Sequence, residues 1–306
     1  MLGPVPFQGR CGVAMTAPDE LEAAVLAAWD AFLIVARSAD LTRPSRLPGW
    51  TGRDTCIHLG DWPDHRVVAG VEQSARSGGS EPPGDPDASN ARLVAAHQDA
   101  SPEEVLAALQ RSRDVLAEWF AGQGPVELGR ARCASAIGPL PLLSLLHAGV
   151  YELAVHAMDL VPCGAEPAPP ALLDRGLAAL MDATGALSAR AGIDITVTAQ
   201  APAGGWSFSS SPDGWSTEPV PPGPFAGVGV RGTAADLLDA SAGRAALPVL
   251  LLSRRLVVHQ LPSFMRLAPL VHEVPGLPGG AALKAGVGGL GAVTGGVGKL
   301  LGRLRR

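Results

Sequence analysis

The stretch YELAVHAMDL, residues 151–160, decides how this chain is read. It closes an apolar run, LPLLSLLHAGVYELAVHAMDL, whose periodicity predicts a largely buried helix over 140–160. Yet it carries Glu152, His156 and Asp159. On a helix Glu152 and His156 stand about 40° apart around the axis, and Asp159 falls within about 20° of Glu152, so all three line one stripe. A lone buried carboxylate is very costly. The stripe must therefore face solvent, be paired, or hold a metal. Leu145, Leu146, Val150, Leu153 and Val155 leave little polar surface around it, which weighs against a solvated stripe.

A metal site needs a further ligand from another element. His58 lies one and a half turns into a helix predicted to start at TGRD, residues 51–54, where Thr51 and Asp54 occupy capping positions. In a four-helix bundle, side chains on facing helices converge in the core. His58, Glu152 and His156 would supply two imidazoles and one carboxylate. That set suits Zn²⁺ with a position left open, and Fe²⁺ or Ni²⁺ would also accept it.

Working outward, three more helices complete such a bundle. One runs from about residue 17, with Thr16 as the expected cap and Asp19 and Glu20 in its first turn. The helix after TGRD continues to about 76, kinked or divided by Pro63. SGGSEPPGDPDAS, 77–89, reads as a surface loop. Ser101 and Glu104 form a second capping box ahead of a helix ended by Gly122. Beyond PCGAEPAPP, 162–170, the character changes. A helix over 171–191 is followed by DITVTAQ, GWSFSSS and GVGVRG, which read as strands. A helix capped by Thr233, a strand at RRLVVHQ and a last helix complete a small α+β unit. The expected organisation is a tail at 1–15, a helix bundle at 16–162, an α+β domain at 163–274, and a Gly-rich basic tail at 275–306.

The bulk numbers agree with a globular chain. Hydrophobic residues make up 47% of the 306 and charged residues 17%. A net charge of −5 argues against a general nucleic-acid binder. The four cysteines, Cys11, Cys56, Cys133 and Cys163, show no paired spacing, which predicts free thiols and a cytoplasmic protein. No signal-peptide core and no membrane-spanning run is present. Leu300, Leu301 and Leu304 alternate with basic residues, so weak contact of the tail with an anionic membrane surface is the one membrane interaction considered. P-loop and GxSxG signatures are absent from the sequence.

Two segments carry a family resemblance. SRLPGWTGRDTCIHLGDW, 45–62, and VYELAVHAMDL, 150–160, resemble the paired motifs of the mycothiol-dependent maleylpyruvate isomerase family, within the wider DinB-like superfamily. GVRGTAADLLDASAGR, 229–244, is more loosely similar to that family's sterol-carrier-like C-terminal domain. The resemblance implies a fold of α plus α+β class, a DinB-like four-helix bundle followed by a small sterol-carrier-like domain. It implies a divalent metal, most often zinc, on His58, Glu152 and His156. It also implies mycothiol or another low-molecular-weight thiol as cofactor, and a small-molecule substrate. The expected activity is that of an isomerase or thiol transferase, the thiolate adding to a cis double bond and leaving after rotation.

Asp159, on the ligand face, is expected to hydrogen-bond a ligand imidazole or a group across the domain junction. Arg231 and Arg244 flank the helix that matches the family, and either is a candidate to grip a substrate carboxylate. Asp61 and His65 form a further i, i+4 pair beside His58, with Pro63 between them. His147 falls on the opposite side of its helix, and His97, His259 and His272 are isolated. Cys56 has no evident activating neighbour, and no catalytic nucleophile is singled out. The alternative is a non-catalytic metal protein whose C-terminal domain binds an apolar ligand.

Overall fold

Prolines and capping residues cut the first half of the chain into its helices. A computed structural model describes residues 4–79 and 85–272. Helix α1 spans Pro18–Ser38 and buries Leu21, Val25, Trp29, Phe32 and Leu33 on one face. Its cap is Ala17, not the expected Thr16, because Pro18 at the first position needs no N–H partner. At Thr51 and Asp54 both bonds of the capping box are present, and they open α2, Gly52–Leu59. Pro63 divides the expected helix rather than kinking it. The chain turns tightly through Trp62 and His65 before α3, Val67–Arg76.

Part of the expected loop over 77–89 is instead the start of α4, Pro86–Ala96, capped by Asp85. Ser101 and Glu104 close their own capping box on α5, Pro102–Ala121. A short α6, Gly124–Leu128, and a two-residue ladder of β2, Arg132–Cys133, with β3, Leu140–Pro141, lead into α7, Leu142–Asp159. Helices α1 and α2 each pack against both α5 and α7, which makes these four the expected bundle.

The second half is α+β. Helix α8, Pro170–Arg190, lies across strands β4, Ile195–Ala201, β5, Gly204–Ser211, and β6, Gly214–Val220, which form an antiparallel meander. Strand β7, Val228–Arg231, runs parallel to β4 and antiparallel to β8, Val257–His259. Helices α9, Ala234–Ser241, α10, Leu247–Leu252, and α11, Leu261–Phe264, and a 3₁₀ turn at Met265–His272 complete the unit. Thr233 caps α9 as expected.

Helix α8 is shared between the two halves. One side packs on α7 and the other on β5 and β6. Two glycines allow the close approach. A Cβ at Gly176 would lie 2.4 Å from the Ala154 Cβ, and one at Gly185 would lie 2.8 Å from the Trp215 ring.

The N-terminal segment differs from the expected tail. Residues Arg10–Cys11 form β1, which pairs parallel to β6 at Gly214 and Trp215 and completes the sheet order β1-β6-β5-β4-β7-β8. Phe7 meets the Trp215 ring edge-on at 5.9 Å, and Cys11 is fully buried. Buried Asp182 on α8 accepts from the Val13 N–H at 3.0 Å, from Trp215 Nε1 at 2.8 Å and from the Thr217 hydroxyl at 2.8 Å. The segment is thus tied to both α8 and the sheet. A Gly- and Pro-rich composition gave no periodic signal for it, since its partners lie far along the chain. The tail expected at 275–306, with its membrane contact, lies outside the described residues. No described helix is long and apolar enough to cross a membrane.

Candidate metal centre

Helix α2 is positioned by its capping box, and its last turn presents His58. Helix α7, crossing it, presents Glu152 and His156 one turn apart. Their ligand atoms all lie within 4.8 Å of one another, and this is the one such cluster among the described residues. His58 Nε2 is 3.9 Å from Glu152 Oε2, His156 Nε2 is 3.3 Å from the same oxygen, and the two imidazole centroids are 5.3 Å apart. Trp50 stands edge-on to His58 at 5.9 Å. Glu152 keeps about a third of its side chain open, and it lines a cavity.

The two nitrogens of His156 are in different situations. Nδ1 is 3.0 Å from Asp159 Oδ2, whereas Nε2 is buried and makes no well-aligned hydrogen bond. Asp159, ionised, accepts from Nδ1–H, which leaves the Nε2 lone pair aimed at Glu152 and His58. That is how a carboxylate prepares a histidine to ligate. Asp159 is itself fixed. It has no exposed side-chain surface, and Arg244 grips it with Nε and Nη2, both at 2.9 Å. Arg46 Nε lies 3.6 Å from Asp159, and Arg46 Nη2 donates to Asp239 Oδ1 at 2.5 Å. Arg244 reaches this place because the chain turns back at the end of α9, where the Arg244 N–H donates to the Asp239 carbonyl at 2.8 Å.

These contacts set the protonation of the cluster. Burial alone would raise the Glu152 carboxyl, but the neighbouring His156 and His58 imidazoles outweigh it and hold it well below the usual carboxylate range. Burial opposes the charged form of His156, yet Asp159 and Glu152 together raise it to about 9. Asp159 is likewise lowered, against burial, by His156 and Arg244. Two carboxylates therefore draw positive charge to this spot, and a proton takes it when no metal does.

The other sequence candidates fall elsewhere. Arg244 sits beside the site, but its fork is taken by Asp159, so it does not stand free to grip a substrate carboxylate. Arg231 is exposed on β7 and does not line the cavity. Asp61 and His65 do line it, yet they do not join the ligand cluster. Burial, then the neighbouring His58, push His65 below the ordinary imidazole value. His97 stacks on Trp62 at 4.0 Å and bonds Asp64 at 2.9 Å. His147 is buried away from the cluster, and His259 packs on Phe225. His272 ends the last 3₁₀ turn, and its side chain lies outside the described ones. All four cysteines are unpaired and buried. Burial pushes the Cys56 thiol far up, which disqualifies it as a thiolate. Sequence reasoning passed over Arg46, Trp50 and Asp239. Arg46 and Trp50 stand inside the SRLPGW motif, which was the available signal.

The helical half has a family assignment. Residues 23–161 match the family model described as mycothiol maleylpyruvate isomerase N-terminal domain. The match runs from within α1 to the end of α7. No curated protein matches the chain in sequence. Among solved structures the chain is similar to a mycothiol-dependent maleylpyruvate isomerase, at 17% identity over 77% of this chain and 93% of that one, with a TM-score of 0.48. It is similar to a histidine-to-alanine mutant of that enzyme at 18% identity, with the same coverage and a TM-score of 0.47.

Proposed function

We propose that the chain is a metal- and thiol-dependent enzyme, an isomerase or thiol transferase, with one divalent ion held by His58, Glu152 and His156. The observation that carries this is His156. Its Nδ1 is held by a buried carboxylate, and its buried Nε2 has no bonded partner and faces two more ligand groups. A donor set of two imidazoles and one carboxylate fits Zn²⁺ and leaves a position open. When bound, such an ion would keep the sulfur of a mycothiol-type cofactor as a nucleophilic thiolate at neutral pH.

The chain's own residues do the rest. His58 and His156, both neutral, and Glu152, ionised, hold the ion. Asp159 keeps the proton on His156 Nδ1 and fixes the ring plane. Arg244 and Arg46 keep Asp159 ionised and in place. The apolar walls beside Glu152 exclude water, which strengthens every charge interaction inside.

The test is elemental analysis of the purified chain, followed by a screen for mycothiol-dependent isomerase and transferase turnover. About one divalent ion per chain is expected, absent from the His58→Ala, His156→Ala double variant. Full occupancy in that variant refutes the site. A metal-loaded chain that turns nothing over with any thiol refutes the enzyme.

A further inference from the structure

The cavity that reaches Glu152 is larger and drier than a site for a small polyanion requires. Its volume is about 660 Å³, within the range that takes drug-sized ligands. At one part of its wall stand His58, His65, Asp61 and Glu152. The rest is mostly hydrocarbon, broken only by the hydroxyl-bearing Ser112, Ser135, Tyr151, Thr184 and Ser241. Val68 and Val71 of α3 and Leu145 of α7 line it on the bundle side. On the α+β side it is walled by Leu177 of α8, by Phe208 of the sheet, and by Leu237 of α9.

Charge points the same way. Among the described residues, no arginine or lysine lines the cavity. The two cations closest to the candidate ligands, Arg46 and Arg244, are paired with Asp239 and Asp159. Two carboxylates do line it. Asp61 is buried with its Oδ2 unbonded, and its nearest partner, Arg66, is 3.8 Å away. A substrate bearing two carboxylates would therefore lose its hydration and meet like charge with no guanidinium to receive it.

The space also depends on a missing side chain. Gly149 lies in the middle of α7, one turn before Glu152, and lines the cavity. A Cβ there would meet no atom within 4 Å. Glycine inside a helix is destabilising by roughly 1 kcal/mol relative to alanine, and a larger side chain at this exposed position would find open space beside the cavity.

We propose that this cavity receives an uncharged, hydrocarbon-bodied substrate, its reactive end at Glu152 and its body between α7, α8 and the sheet. The inference rests on the metal- and thiol-dependent reading only for calling the ligand a substrate. Binding itself needs no metal. The test uses the full, metal-loaded chain and the neutral fluorophore N-phenyl-1-naphthylamine, displaced by 1-alkanols from hexanol to dodecanol and, separately, by maleate and adipate.

Saturable binding of the fluorophore is expected. Displacement should tighten by about fourfold for each methylene added until the cavity is full, and neither diacid should compete. Gly149→Trp and Ala240→Phe, each placing a ring in the cavity, should weaken the fluorophore at least tenfold with metal content and melting temperature kept. No saturable binding to the full chain overturns the proposal. So does competition by a diacid at lower concentration than octanol, or unchanged binding in both folded variants. Failure of the metal reading shows separately, as a metal-free protein that still binds the fluorophore.

Discussion

Replacing Asp159 with asparagine tests the centre with little change of shape. Asp159 is fully buried and holds three things at once: His156 Nδ1 at 3.0 Å, the Arg244 fork at 2.9 Å twice, and Arg46 at 3.6 Å. Asparagine keeps one oxygen and turns the other into a donor. Its oxygen can take the place of Oδ2, which accepts from both His156 Nδ1 and Arg244 Nη2, but its NH₂ then faces the Arg244 Nε donor, and in the flipped orientation it faces His156. Arg244, only 9% exposed at the side chain, then loses its counter-charge. Removing one member of a buried pair costs about 3–5 kcal/mol. One acceptor survives and Asp239 remains near Arg46, so about 3 kcal/mol is expected. Metal affinity should fall separately, by about 10- to 100-fold, as His156 loses its fixed tautomer. Urea denaturation of the metal-free protein reads the first effect, and competition with a chelating dye reads the second. Asp239→Asn is the control. It loses only the part-exposed Arg46 pair and should cost about 1 kcal/mol or less. If Asp159→Asn matches the parent in both urea midpoint and metal affinity, the carboxylate does not organise the site.

The same contacts set further outcomes. Metal uptake should strengthen from pH 6 to pH 9 and release protons, because the ion displaces the one that His156 holds up to about 9; proton release by calorimetry in two buffers checks this. In the metal-free protein His156 is raised above its ordinary value of 6.5, so its contribution to stability is full below that pH and is lost as pH climbs through about 9. The melting temperature of the apo form should therefore fall over that interval, while that of the loaded form does not. Gly176→Val should cost about 1–3 kcal/mol by forcing α8 off Ala154, read as a lower urea midpoint. In the native protein all four thiols should react slowly with a disulfide reagent, and together on unfolding, since each is buried; a fast native phase would contradict that burial.

The His58, Glu152 and His156 cluster was legible because it obeys local rules. Glu152 and His156 announce one another by helical spacing, and His58 comes after a capping box that both sequence and structure display. Thr51–Asp54 and Ser101–Glu104 were readable for the same reason, each being a four-residue signal. What escaped depends on partners far along the chain. Asp239 meets Arg46 only after the chain has built a sheet between them. Strand β1 is two residues long, too short for any alternation to show. Asp182 resembles any helical aspartate until Val13, Trp215 and Thr217 arrive as donors. The cap of α1 was misplaced because Pro18 made a side-chain cap dispensable, and the motif led to Thr16 instead.

The pairing of β1 with β6 has a consequence for the order in which the molecule is made. Arg10 and Cys11 leave the ribosome about two hundred residues before their partners Gly214 and Trp215. At about 5–20 residues per second, that delay is roughly 10–40 s. The bundle helices are complete by residue 159 and can close during the wait. The opening segment cannot, and it stays a loose thread with a buried-type cysteine and Phe7 exposed until the meander appears. Docking of β1 then waits on a strand made about two hundred residues after it, and bulk attached ahead of β1 would burden that step rather than closure of the bundle.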